Sequence, residues 1–345
     1  MTAPSVSISP GRRIWLRFRQ NRRGYWSLIL FCALFGLSLM AELLSNDKPL
    51  VARYNGALVF PVLITYSEKT FGGDFESPAD YLDPFIRDQF QTNGNWALYP
   101  PNHYSFNTLN YFATSPNPAP PSGENWLGTD DRGRDVTARL LYGFRVSVLF
   151  ALALTVTGVL LGMVTGAVQG YFAGKTDLLF QRFMEIWSSM PELYLLIIFS
   201  SIFEPSIGLL LLLLSLFGWM GLSDYVRADF LRNRNLEYVQ AARALGLSNA
   251  QIIWRHVLPN SMTSVVTFLP FRMSGAILAL TSLDFLGLGV PPSTPSLGEL
   301  LAQGKNNLDA WWIALSTFAV LTVTLLLLTN IGDALRNALD VRRKS

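Results

Sequence analysis

Gly170-Tyr-Phe-Ala-Gly-Lys-Thr176 ends like a phosphate-cradling loop. Such a loop wraps backbone N–H groups around phosphates and needs four residues between its glycines. Here there are three, Gln169 stands where the first glycine belongs, and an apolar run precedes it instead of a strand. It reads as a helix-ending turn, so nucleotide chemistry falls to another chain. Leu127-Gly-Thr-Asp-Asp-Arg-Gly-Arg-Asp135 gathers carboxylates as a calcium loop would, without the alternate-residue spacing and distal glutamate that calcium needs. Its Asp/Gly content makes a turn, after which Val136, Leu140 and Leu141 share one face of an interfacial helix. His103 has no second His, Cys or spaced carboxylate beside it and reads as a surface or packed histidine. Cys32 is the single cysteine, which rules out a disulfide within the chain. With two histidines in all and no Ser/His/Asp set, neither catalytic residues nor a metal site are expected.

Charges inside apolar runs are the second kind of signal. Arg272 and Asp284 lie in a run at 263–288, and each would cost roughly 2.5–3.5 kcal/mol at a bilayer centre, which disfavours lipid exposure. They stand about 18 Å apart along a helix and cannot pair. Two readings of Arg272 stay open: it faces a subunit interface or hydrated pathway, or it snorkels or meets a carboxylate of another chain. Asp284, near the end of the run, is expected to reach water. Arg182 and Glu185 are spaced to form an ion pair on one helix face. Pro191 should kink the run that follows, with Glu192 directly after it. Gly158, Gly162, Gly166 and Gly170 recur every four residues and make a flat face for close helix approach, within this chain or on a partner. Arg272, Asp284, Glu185, Gly158, Gly162 and Gly166 are thus the candidates for a translocation pathway or subunit interface.

Half the residues are hydrophobic and 15% are charged, with the apolar ones in blocks. Blocks of about 20 residues match the thickness of hydrocarbon, which predicts an all-α integral membrane protein. Six spans are expected, near 25–44, 146–170, 180–203, 206–225, 263–288 and 311–332. The first resembles a signal peptide, following Arg12, Arg13, Arg17, Arg19, Arg22 and Arg23, but is too long for one and lacks a small-x-small cleavage site. It reads as a retained anchor with a cytoplasmic amino end. The positive-inside rule then places the basic tail 1–24, the loop 226–260 and the tail 333–345, with Arg342, Arg343 and Lys344, in the cytoplasm. Residues 45–141 form an extracytoplasmic insertion whose Tyr, Phe and Trp density argues for a folded cap, with 65–73 and 116–121 as turns and loops. Residues 142–332 make a five-helix core. A net charge of +3, placed beside the spans, argues for membrane lipid and against nucleic acid.

The loop 226–260 is polar between two apolar runs and carries Arg227, Arg232, Arg234, Arg243 and Arg255. Gly246 is a left-handed helix stop. Ser248 and Gln251 have the spacing of a capping box for the next helix, which Pro259 should end. Two short helices with a small-residue seam (Ala241, Ala242, Ala244, Gly246) make a docking knob. Gln240-Ala241-Ala242, then Gly246, then Leu258-Pro259, resemble the EAA loop of ABC-importer permeases. Arg255-His256-Val-Leu-Pro-Asn260, Gly128-Thr-Asp with Gly133-Arg-Asp135, and Phe285-Leu-Gly-Leu-Gly289 resemble the C-type permeases of the dipeptide/oligopeptide branch. Within it the chain is most similar to the Yej-type E permeases, associated with peptides and the peptide–nucleotide antibiotic microcin C. This sequence departs from the family at Gln240, where the family has glutamate, and at His256, where many members have isoleucine.

The resemblance implies a type I importer permease fold. It also implies a B-type permease as heterodimer partner, two ATPase subunits or one fused double ATPase, and a periplasmic solute-binding protein. ATP and magnesium would be held by the ATPase, with no cofactor on this chain. Gln240, Ala241, Ala242, Gly246, Leu258 and Pro259 would then couple ATP binding to the spans. The stiff segment 285–298 is placed to gate the mouth on the insertion side. A secondary transporter would call for discontinuous spans or an internal repeat, and neither is legible in the sequence.

Overall fold

The computed structural model describes residues 10–92, 94–109 and 115–339. Arg342, Arg343 and Lys344 of the expected basic tail lie outside the described residues. Among the described residues, four helices are long and apolar enough to cross a membrane: Val136–Phe172, Ile207–Asn233, Val265–Phe285 and Trp311–Leu339. The first is α5, a single helix of 37 residues and about 55 Å. It absorbs the interfacial helix expected at 136–141, because Asp135 caps it by accepting from the Ala138 N–H at 2.7 Å.

Before α5 come α1 (Pro10–Gln20), α2 (Arg22–Leu39), the single turn α3 (Ala41–Leu44) and α4 (Pro84–Gln89). The Asn21 side chain caps α2 at 3.2 Å, and α1 folds back to bury Phe18 against Ala334 and Ala338. The α2 run is interrupted at Met40, short of the expected 25–44. After α5 come α6 (Gly174–Ser188), α7 (Glu192–Ile202), α8 (Ile207–Gly218), α9 (Met220–Asn233), α10 (Glu237–Ala244), α11 (Asn249–Ile252), α12 (Leu258–Phe285), α13 (Leu297–Asn306) and α14 (Trp311–Leu339).

Two expectations about continuity are corrected. The run at 180–203 is broken, not kinked: α6 ends at Ser188 and α7 restarts at Glu192. Pro191 supplies no N–H and takes the extended conformation that caps α7, so the helix stops before it. The run is therefore discontinuous. Conversely, Pro259 does not end the helix begun at Ser248. α11 passes through a π-helical turn, Ile253–Val257, into α12, with Pro259 in the first turn of α12. Pro259 gives this continuous ladder no N–H, and the irregular, wider π turn directly before it is where the regular bonding is already interrupted.

The all-α expectation also needs amendment. Residues 51–98 hold a three-stranded antiparallel sheet, ordered β2-β1-β3, with β1 Val51–Tyr54, β2 Ala57–Val59 and β3 Trp96–Leu98. Ala52 pairs with Val59 and Ala97. Phe71, wholly buried, meets Tyr54, Tyr66, Tyr81 and Phe90 edge-on or tilted, giving this segment its own aromatic core. His103 packs beside Tyr99, and burial lowers its pKa below the usual histidine value.

The membrane core is built around α5, which packs on α9 along one face and on α8, α12 and α2 elsewhere. Here the glycine stripe has its use. A Cβ on Gly162 would lie 2.9 Å from the Trp219 carbonyl oxygen, on Gly166 2.4 Å from the Ser223 oxygen, and on Gly170 2.5 Å from the Phe230 Cβ. Of the two alternatives left open by the sequence, the partner filling this seam is the chain's own α9. Gln169, fully buried on the same helix, donates to Ser223 Oγ at 2.9 Å and accepts from Gln181 at 3.0 Å.

Candidate functional site

Three places hold most of the residues singled out by the sequence: a loop at one end of the helices, a cavity midway, and a latch at the insertion end. At the loop, α10 ends in a two-bond reversal. The Gly246 N–H donates to the Arg243 carbonyl at 3.0 Å and the Leu247 N–H to Ala242 at 3.2 Å, with Gly246 at φ +80°. The capping box of Ser248 and Gln251 then starts α11 with both reciprocal bonds made. Val239, Ala242, Ile252 and Val257 are buried in a cluster with Ala167 and Tyr171 of α5 and Val226 and Phe230 of α9. Tyr171 adds a hydrogen bond from its hydroxyl to Asn249 at 2.8 Å and sits under the Arg243 guanidinium.

The rest of the loop faces out. Ala241, Gly246 and Pro259 are exposed, Leu258 is half-buried on the cluster, and Leu245 is 81% exposed at the tip. Gln240 is exposed too, yet its amide Nε2 donates to the Asn235 carbonyl at 3.1 Å. A glutamate there could not make that bond, since a carboxylate has no N–H. The glutamine holds the start of α10.

Midway along the helices lies a cavity of about 570 Å³. Its walls are the break at Met190, Pro191 and Glu192, the end of α8 at Gly218, and Arg272 with Gly275 on α12. Arg272 Nη2 donates to the Gly218 carbonyl, and its Nε is buried without a partner. Among the described residues no carboxylate pairs with it. The guanidinium passes over Gly158, where a Cβ would fall 2.5 Å from Nη2. Gly158 thus differs from the other stripe glycines: it is the floor under an arginine and lies beside the last residue of α8, Gly218, not against α9.

At the insertion end, Glu299 at the start of α13 gathers three arginines. Arg139, fully buried on α5, pairs with Glu299 Oε2 and donates to the Thr294 carbonyl at 3.2 Å. Arg134 bridges Glu299 at 3.2 Å and Asp130 at 2.6 Å, and donates to the Pro292 carbonyl at 2.8 Å. Arg132 stands at 3.7 Å. Asp135 accepts from Asn102 at 2.8 Å and Asn125 at 2.9 Å, pinning the insertion to the head of α5. Burial raises the pKa of Asp135, and the bonds from Asn125, the Ala138 N–H and Asn102 oppose that rise.

Asp284 belongs to this latch and does not reach water. It is 8% exposed, accepts the Val290 N–H at 2.9 Å and the Ser296 hydroxyl, and is crowded by Gly289 and Gly298. The turn at Gly287 folds the chain back over it, which the local sequence does not show. It is not among the residues lining the cavity. Glu185 is exposed and pairs with Arg182 at 2.5 Å on α6, also away from the cavity. So of the six candidates for a pathway or interface, Arg272 lines the cavity and Gly158 makes room for it. Sequence reasoning missed Glu299 and Arg139. The only local signal was the Ser296-x-x-Glu299 spacing of a helix start, in which the glutamate is spent on arginines instead of a capping box.

Comparison with known proteins places the chain. Residues 158–345 match the family described as binding-protein-dependent transport system inner membrane component, and residues 9–57 match the N-terminal TM domain of oligopeptide transport permease C. The chain is 53% identical over 326 residues to the inner membrane ABC transporter permease protein YejE of Escherichia coli K12, spanning 94% of this chain and 95% of that one. It is 50% identical over 358 residues to the peptidoglycan transport system permease protein YejE of Agrobacterium fabrum, spanning 96% and 93%. To the oligopeptide transport system permease protein OppC of Haemophilus influenzae it is 36% identical over 219 residues, spanning 63% and 70%. The chain therefore belongs to the inner membrane components of binding-protein-dependent transport systems, as an ABC-transporter permease of the C-type branch.

Proposed function

We propose that this chain is the permease subunit of an importer that moves peptides or peptide-like compounds, microcin C-type antibiotics included, across the inner membrane by alternating access. Its partners in this reading are a B-type permease, two ATPase subunits or a fused double ATPase that hold ATP and magnesium, and a periplasmic solute-binding protein. Six crossings are formed by α2, α5, the broken α6–α7, α8–α9, α12 and α14. Both termini are cytoplasmic, and residues 45–135 face the periplasm. The basic residues of α1 and of the loop support that orientation, since both lie at the end of the bundle opposite the insertion.

The observation that carries the reading is the mounting of α10. Leu245 projects from a helix whose base is buried against α5 and α9, while α11 runs through the π turn into α12. A push on the tip by an ATPase subunit is passed to α12, and Arg272 lies about 21 Å further along it. ATP biases the two states only by its different affinity for them, so a stiff connection is what the coupling needs.

Reconstitution with the partner permease, ATPase and binding protein tests this. Gly246→Val should abolish peptide uptake while the complex still assembles in the membrane, and unchanged uptake would overturn the docking role. Nucleotide hydrolysis by the isolated chain, or labelling of the loop from the periplasmic side, would sink the reading as a whole. The substrate range is tested on the binding protein with peptides of graded length, and with cell-wall peptides because of the name of the Agrobacterium relative.

A further inference from the structure

Resting on the importer reading, we propose that the cavity between α5, the α6–α7 break and α12 is a station for a zwitterionic peptide, with the peptide's carboxylate on Arg272 and its ammonium group on Glu192. The volume of about 570 Å³ falls within the roughly 300–1,000 Å³ of small-molecule sites. Arg272 and Glu192 both line it. Arginine recognises a carboxylate through paired N–H donors, and its charge in an apolar bundle stays costly until an anion arrives.

The structure keeps this guanidinium ready. One nitrogen is held by the Gly218 carbonyl and Nη1 is left for whatever enters; the buried Nε has no partner, a state it shares with the Nε of Arg139. Gly158 keeps the floor clear. Glu192 is likewise without a hydrogen bond or ion pair among the described residues, in the first turn of α7 where Pro191 has stopped the previous helix. Elsewhere the chain settles such charges internally: Arg182 has Glu185, Arg227 has Asp177, and Arg139 has Glu299. Arg272 and Glu192 face a shared space instead, as receivers of opposite charges would.

The experiment uses the full importer in proteoliposomes with saturating peptide-loaded binding protein. A tripeptide is compared with its C-amidated and its N-acetylated forms. Because the receptor is the same throughout, its own preference cancels when variants are compared by ratio. Arg272→Gln should lower uptake of the free acid by about tenfold or more, toward the rate of the amide. Arg272→Lys should restore part of the difference. Glu192→Gln should shrink the preference for a free amino end over the acetylated one. Gly158→Ala, which displaces the guanidinium, should reproduce the Arg272→Gln pattern in weaker form. Equal losses for acid and amide in both the Arg272 and Gly158 variants would overturn the proposal and make Arg272 a structural or subunit-contact residue. Absence of uptake by the wild-type importer would instead count against the importer reading itself.

Discussion

Arg139 and Arg272 both sit on long apolar helices, and the chain treats them in opposite ways. Arg139 is wholly enclosed, bonded to Glu299 and to backbone carbonyls, and has Arg134 and Arg132 beside it on the same glutamate, although its Nε, like that of Arg272, is buried without a partner. Arg272 is half-buried over a cavity, with one carbonyl and, among the described residues, no carboxylate. A charge whose partner is built in holds two segments together, here α5 and the segment leading into α13. A charge without one is an expense unless something else supplies the partner. The contrast separates an arginine that fastens the fold from one that, in the reading proposed above, waits for a ligand.

The contrast breaks most readily at Glu299. Glu299→Ala leaves Arg139 buried and uncompensated, and should cost about 3–5 kcal/mol, read as a lowered unfolding midpoint in detergent. A midpoint equal to wild type would mean that the ion pair does not fasten the two segments. Gly166→Val comes next. It drives a branched side chain into the α9 backbone and should cost about 1–3 kcal/mol by the same measure, with weaker α5–α9 association. Gly246→Val meets no neighbour, so only the left-handed backbone resists it, at about 1–2 kcal/mol. Its mark should be in coupling more than in stability. Arg272→Met sharpens the comparison from the other side. Removing a charge without a carboxylate partner should change stability by less than about 1 kcal/mol, or raise it, while uptake falls. A large destabilisation would place Arg272 with Arg139.

Much of the fold follows from short-range pattern. The apolar blocks mark the helices, and the four-residue glycine period marks a close seam. The Gly246 stop and the Ser248–Gln251 box are present as read. Pro191 shows where local reasoning falls short. A proline in an apolar run either bends or breaks a helix, and here the extended backbone at Pro191 ended one helix and began another. Pro259 went the other way, because a π turn placed it in a first turn. The insertion's sheet was hidden because its strands are three or four residues long, too short for an alternating pattern to stand out.

What the sequence determined by itself is therefore whatever repeats within a few residues: apolar helices, seam, caps and the exposed knob. The tertiary structure decided which charges meet. Glu299 lies 160 residues from Arg139, and Gly158 is a niche only because Arg272 crosses it. Such pairings depend on which helices pack together, and the identity of the packing partner carries no signature in the residues near either one. Asp284 illustrates both halves. Its place at a helix end was legible, and its burial under a returning loop was not.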